Sequence, residues 1–210
     1  MARQNPPLPV RIRLLAQIST FYAIGKKEKA KRLITRALRT KDAPPLLFSE
    51  LFIHLSLFLG YPAMLDGLEH LCVTATIKRR SIPVQHSSRA SRGAAILRQI
   101  YGSQTRKVLS HLDELEPGLA KRIAKDAYGE IMSRPGLNLQ EREIVNCIVL
   151  FLQGYAPQLF SHLRGALRVG VDVALLKSVV QLAGRLARKE SGSALKLIDA
   201  LANSLRRTSF

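Results

Sequence analysis

The chain has 210 residues, with 33 Lys+Arg against 15 Asp+Glu and a formal charge of +18. That length suits one domain or two small ones, and 47% hydrophobic residues exclude a mostly disordered chain. The two cysteines, Cys72 and Cys147, are too few and too far apart for a disulfide scaffold, a C-x-x-C motif or a paired-ligand zinc site.

Met1 to Pro9 is polar and Pro-rich and has no apolar h-region, so a secretory signal is not expected. Helical periodicity then dominates. Leu14, Leu15, Ile18, Phe21 and Tyr22 make one apolar face. Lys27 to Arg39 reads as a second helix, with six basic residues around Ala30, Leu33, Ile34, Ala37 and Leu38. Pro44-Pro45 breaks the pattern. Leu46 to Leu59 is a third helix, apolar nearly all round and so expected to be buried. Gly60-Tyr61-Pro62 reads as a turn, and Ala63 to Leu71 opens a fourth helix.

Composition then changes. His70 to Leu112 holds no acidic residue and eight Lys/Arg. Ser81 to Gly93 is rich in Ser, Arg and Pro and reads as an exposed linker. Ala94 to Leu112 regains helical spacing. A helix is expected from Glu116-Pro117 through Met132, then a turn over Ser133 to Leu137. Asn138 with Glu141 forms a capping-box pattern for a helix over Leu139–Leu152. Gly154 ends that helix, and Pro157 starts the next, which runs to about Gly170. Asp172 caps another to about Lys189, and Ala194 to Leu205 closes the chain. No strand signal competes, so the expected class is all-α. The longest uncharged stretch, Ile144 to Leu163, includes Asn146, Gln153 and His162 and is too polar for a membrane span. No membrane contact, metal or cofactor is expected, and the location is expected to be cytoplasmic.

Shifting the sequence by 129 residues places Arg13 on Arg142, Gly25 on Gly154 and Ala37-Leu38 on Ala166-Leu167. After a two-residue gap, Leu55 falls on Leu182. The expectation is two tandem helical units packed together, with a degenerate repeat over 10–75, a basic linker over 76–95 and a second unit over 96–205.

Two stretches carry a family resemblance. Ala127 to Leu137 (AYGEIMSRPGL) and Gly154 to Leu167 (GYAPQLFSHLRGAL) resemble signature segments of the carboxymuconolactone decarboxylase family, which belongs to the alkylhydroperoxidase D-like superfamily. Val179 to Ala183 and Leu59 to Ala63 resemble two further segments of that family. The resemblance implies an all-α, alkylhydroperoxidase D-like helical fold and a homo-oligomer, a trimer or hexamer. In the peroxidase branch a Glu precedes the His by nineteen residues, with C-x-x-C between them. Glu143 and His162 keep that spacing, but Tyr155 and Gln158 stand at the cysteine positions. The disulfide cycle is therefore absent, and a carboxylate and an imidazole remain, a pair suited to proton transfer on a carbon acid.

Glu143 is eleven residues before Gly154 and His162 eight after it, about 16 and 12 Å along antiparallel helices. The two are thus expected at similar heights and within hydrogen-bond reach. In the first unit Leu14 and Leu33 take their places, so that unit is expected to be catalytically empty and structural. Arg134 is the better candidate to hold an anionic substrate, and Arg164 the second. Arg164 lies roughly 200° around the helix from His162 and is not expected to face the same pocket easily. Cys147, one turn after Glu143, is a candidate thiol. The leading expectation is a decarboxylase-like enzyme acting on a small anionic lactone or related carbon acid. The alternatives are a peroxidase or antioxidant protein without C-x-x-C, and a non-catalytic basic protein that binds an anionic partner. Nucleic acid is the less favoured partner, because only 6% of residues are aromatic and no nucleic-acid motif occurs.

Overall fold

A computed structural model describes residues 7–75 and 88–207, and among these there are helices and no strands. The N-terminal part comprises α1 (Val10–Ala23), α2 (Lys27–Arg39) and α3 (Pro45–Thr74). Pro44 and Pro45 start α3, as the sequence suggests. The break expected at Gly60-Tyr61-Pro62 is present and divides α3 into two helical stretches. Gly60 takes φ 73°, a left-handed value open to glycine, and Pro62 follows it. By length and composition α3 could cross a membrane. Here Leu47, Phe48, Leu51, Phe52 and Leu55 of its first half enter a core with Leu15 and Ile18 of α1.

The stretch read as a linker is partly helix. Residues 76–87 lie outside the described residues, but α4 (Arg89–Tyr101) begins inside it, capped by Ser88, whose Oγ accepts from Ser91 N. The reason is close packing that periodicity does not show. Gly93 lies against the backbone of Ala124, where a Cβ would stand 1.9 Å from the carbonyl oxygen. Arg92 Nε donates to Gly129 O (3.2 Å) and Ser133 Oγ (3.1 Å). The helix expected over Ala94–Leu112 breaks at Gly102 (φ 55°) through a short 3₁₀ turn, and α5 (Thr105–Leu115) follows. The helix expected from Glu116 starts after Gly118 as α6 (Leu119–Ile123) and widens into a π-helical segment, Ala124–Met132.

The last four helices match the sequence reading: α7 (Leu139–Gln153), α8 (Ala156–Arg168), α9 (Val173–Ala187) and α10 (Gly192–Arg207). The capping box is formed: Glu141 N donates to Asn138 Oδ1 (2.8 Å) and Asn138 N to Glu141 Oε2 (2.9 Å). Arg11 of α1 pairs with the same Glu141 and donates to Gly136 O (2.7 Å), so the first helix fixes the turn that launches α7. Asp172 caps α9 through Leu175 N.

Helix α7 is the axis of the fold. Every residue from Glu141 to Phe151 is buried. Val145 and Val149 join the N-terminal core, while Ile144, Cys147, Ile148 and Phe151 pack with α8, α9 and α10. Such a helix cannot present its polar residues to water, so Glu141, Arg142, Glu143 and Asn146 each need partners inside the protein.

Candidate active site

Gly154 (φ 82°) ends α7 and lets the chain reverse into α8. That reversal sets His162 beside Glu143. His162 Nδ1 lies 3.0 Å from Glu143 Oε2, and the carboxylate is fully buried. The approach requires Gly165, because a Cβ there would sit 2.9 Å from Glu143 Oε2 and 2.6 Å from Ile100 Cγ2. A carboxylate can only accept, so His162 Nδ1–H is the donor and Nε2 is left for other chemistry.

Asn146, one turn after Glu143, donates from Nδ2 to Glu143 Oε1 (3.0 Å). Its Oδ1 lies 2.7 Å from His54 Nε2, and His54 Nδ1 lies 3.3 Å from Arg142 Nη1. Arg142 is fully buried and donates from Nη2 to Arg134 O (2.8 Å), with Glu50 Oε2 3.5 Å away. The buried Glu50 is gripped on both oxygens by Arg134, at 3.0 Å from Nε and 2.7 Å from Nη2. The polar interior is thus one continuous row, Arg134–Glu50–Arg142–His54–Asn146–Glu143–His162. Burial and the neighbouring Arg142 charge push the His54 pKa down to about 3, so this imidazole is neutral. Burial also lowers Arg142 to about 10, opposed by Glu50, so it stays cationic near neutrality.

His162 lies on the wall of a cavity of about 660 Å³ between α4, α5, the π-helical segment and α8. Much of the wall is apolar, including Leu97, Val108, Leu112 and Met132, while Tyr101, Lys107, Asn146, Ser161 and Arg164 supply polar groups. Tyr101 and Tyr128 pair through their hydroxyls at 2.7 Å. Burial raises both phenols, Tyr101 to about 12, so both keep their protons.

The arginines fall out differently from the expectation. Arg134 does not line the cavity: its guanidinium is spent on Glu50, which corrects its reading as the substrate ligand. Arg164 does line the cavity with His162, because a long side chain can reach around the helix edge that its Cα position alone would put out of range. Cys147 is fully buried among Ile144, Ile148 and their neighbours and is absent from the cavity wall. Burial, and then the Glu143 charge, push its pKa well above the usual thiol value, which argues against the thiol reading. Helix α3 supplies Glu50 and His54, two residues the sequence reading did not single out. Their signal was present: two ionisable side chains one turn apart in a helix otherwise apolar nearly all round. Among the described residues there is no His/Cys/Asp/Glu group that could hold a metal ion.

No family model matches the chain. Over 93 residues it is 29% identical to 4-carboxymuconolactone decarboxylase of Acinetobacter baylyi, covering 44% of this chain and 69% of that protein. The likeness is distant, and it agrees with the family named by the sequence motifs.

Proposed function

We propose that the chain is a carboxymuconolactone decarboxylase-like enzyme that moves a proton to or from a carbon acid. The observation that carries this reading is the 3.0 Å Glu143–His162 bond at the edge of a cavity large enough for a small organic acid. The similarity to 4-carboxymuconolactone decarboxylase supports the same chemistry. In that reaction the bond to CO₂ breaks and its electron pair passes into the conjugated lactone carbonyl. The resulting carbanion then takes a proton at carbon. His162, protonated, donates that proton from Nε2 and is left neutral, with Nδ1–H still held by Glu143. A proton from water resets it. Arg164 and Lys107 on the cavity wall hold the substrate's anionic groups. Protonated Tyr101 supplies a donor for charge that develops on the lactone oxygen.

The test is CO₂ release from 4-carboxymuconolactone and related γ-lactone acids. His162→Ala and Glu143→Gln should each remove most turnover while leaving helicity unchanged. The double variant should lose little more than either single one, as expected of residues acting as a unit. Near wild-type rates in both single variants would overturn the reading.

A second reading rests on an open cleft of about 710 Å³ lined by Lys31, Arg32, Arg36, Arg39 and His70. Together with the +18 charge, it suits a polyanion such as nucleic acid. Steeply salt-dependent DNA or RNA binding, weakened by Arg32→Ala and Arg36→Ala and unchanged by His162→Ala, would favour it.

A further inference from the structure

We propose that His54 and Asn146 are positioning residues that set which nitrogen of His162 carries its proton, acting through Glu143. This rests on His162 being the group that meets substrate. The argument is a chain of forced hydrogen-bond polarities.

Arg142 has five donors and no acceptor, so the contact from Nη1 to His54 Nδ1 (3.3 Å) requires Nδ1 to accept. His54 is fully buried, and its neutral ring carries a single proton, which must then sit on Nε2. That proton points at Asn146 at 2.7 Å, so the amide must present its oxygen to His54. The other face of the same amide is then NH₂, aimed at Glu143 Oε1 (3.0 Å). Held by this donor on one oxygen, the carboxylate offers the other to His162 Nδ1 (3.0 Å). Asn146 Nδ2 also lies 3.3 Å from His162 Nδ1, and two donors face each other poorly there. The carboxylate decides between them in favour of Nδ1–H, which leaves Nε2 as the nitrogen free of Glu143.

Without His54 the Asn146 oxygen loses its donor, and the Glu143 contact alone is left to hold the amide's sense. A flipped amide would set its oxygen against Glu143 and repel the carboxylate from its seat. His162 would then lose the partner that selects its tautomer. The device spans both halves of the chain. Glu50 and His54 stand on α3, one turn apart, and Arg142, Glu143 and Asn146 stand on one face of α7. A unit whose own counterparts of the site are Leu14 and Leu33 thus reaches the reacting group through a neighbour.

The experiment is long-range ¹⁵N–¹H correlation of protein labelled at histidine, which reads ring tautomers without any turnover assay. At alkaline pH, where the His162 ring is neutral, the wild-type protein should show His54 as the Nε2–H form and His162 as the Nδ1–H form. In His54→Leu the His162 ring should lose its single tautomer and give shifts averaged between the two. His54→Gln should restore it, because a glutamine can accept from Arg142 with its oxygen and donate to Asn146 with its nitrogen. If His54→Leu does not fold, Asn146→Ala breaks the same link and should give the same averaging. A pure Nδ1–H His162 in a folded His54→Leu or Asn146→Ala protein overturns the proposal, as does an Nδ1–H His54 in the wild type. A protein with these tautomers but no decarboxylation would overturn the functional reading alone. An active protein whose His162 ignores His54 would overturn this proposal alone.

Discussion

At the scale of single residues, stability should carry the mark of His54. Its ordinary pKa is near 6.5, and in the folded protein it is lowered to about 3. As pH falls below about 6.5, the unfolded chain takes up a proton that the native chain refuses. Stability is therefore lost from about pH 6.5 down to about 3, with a limiting slope of about 1.4 kcal/mol per pH unit from this group. Urea unfolding across that range should show the slope, and His54→Gln should remove this part of it. The two thiols make a second contrast. Cys72 is exposed and Cys147 buried, so iodoacetamide should label one thiol per native chain and two after unfolding. Gly165→Ala would force a methyl into Glu143 and Ile100. It should cost about 1–3 kcal/mol in denaturation and weaken the Glu143–His162 bond.

At the scale of elements, much was legible in the sequence because it is local. The Asn138/Glu141 box, the Gly154 reversal, the Asp172 cap and the nineteen-residue spacing all act within a helix or across one turn. Helix heights alone were enough to bring Glu143 to His162. What stayed hidden depends on contacts between distant segments. The Ser/Arg-rich run has no apolar period, yet its described end from Arg89 is helix, where Gly93 admits the backbone of Ala124. The π-helical segment that carries Tyr128 to Tyr101 leaves no mark in a 3.6-residue pattern. Arg134 stands in the turn before α7, but its fate was set by Glu50, 84 residues away. Helix α5 has no buried residue and still forms part of the cavity wall. Its amides should exchange with deuterium far faster than those of α7, as mass spectrometry of the native protein can read.

At the scale of the whole molecule, we propose that copies of the chain associate. Tyr61 and Leu65 lie one turn apart on α3 beyond the break at Gly60, 71% and 51% exposed. Sedimentation at micromolar concentration should give a species larger than 23.3 kDa, and Tyr61→Asp with Leu65→Asp should shift it toward that mass. The two-unit reading stands as a proposal beside it. It draws support from the matching succession of α1, α2 and the first half of α3 with α7, α8 and α9.

The two larger of three apolar cores among the described residues, one centred on α1–α3 and one on α7–α10, suggest that the chain could melt in two steps. The row of buried charges running from Arg134 to Glu143 argues otherwise. Pulling α3 away from α7 would part Arg142 from Glu50 and His54 before either helix unravels. Half-open forms are thus penalised more than either the closed or the fully unravelled chain. Calorimetry should record a single endotherm whose van't Hoff and measured enthalpies agree. Exchanging Glu50, His54 and Arg142 together for apolar residues should leave the fold standing and split that endotherm in two.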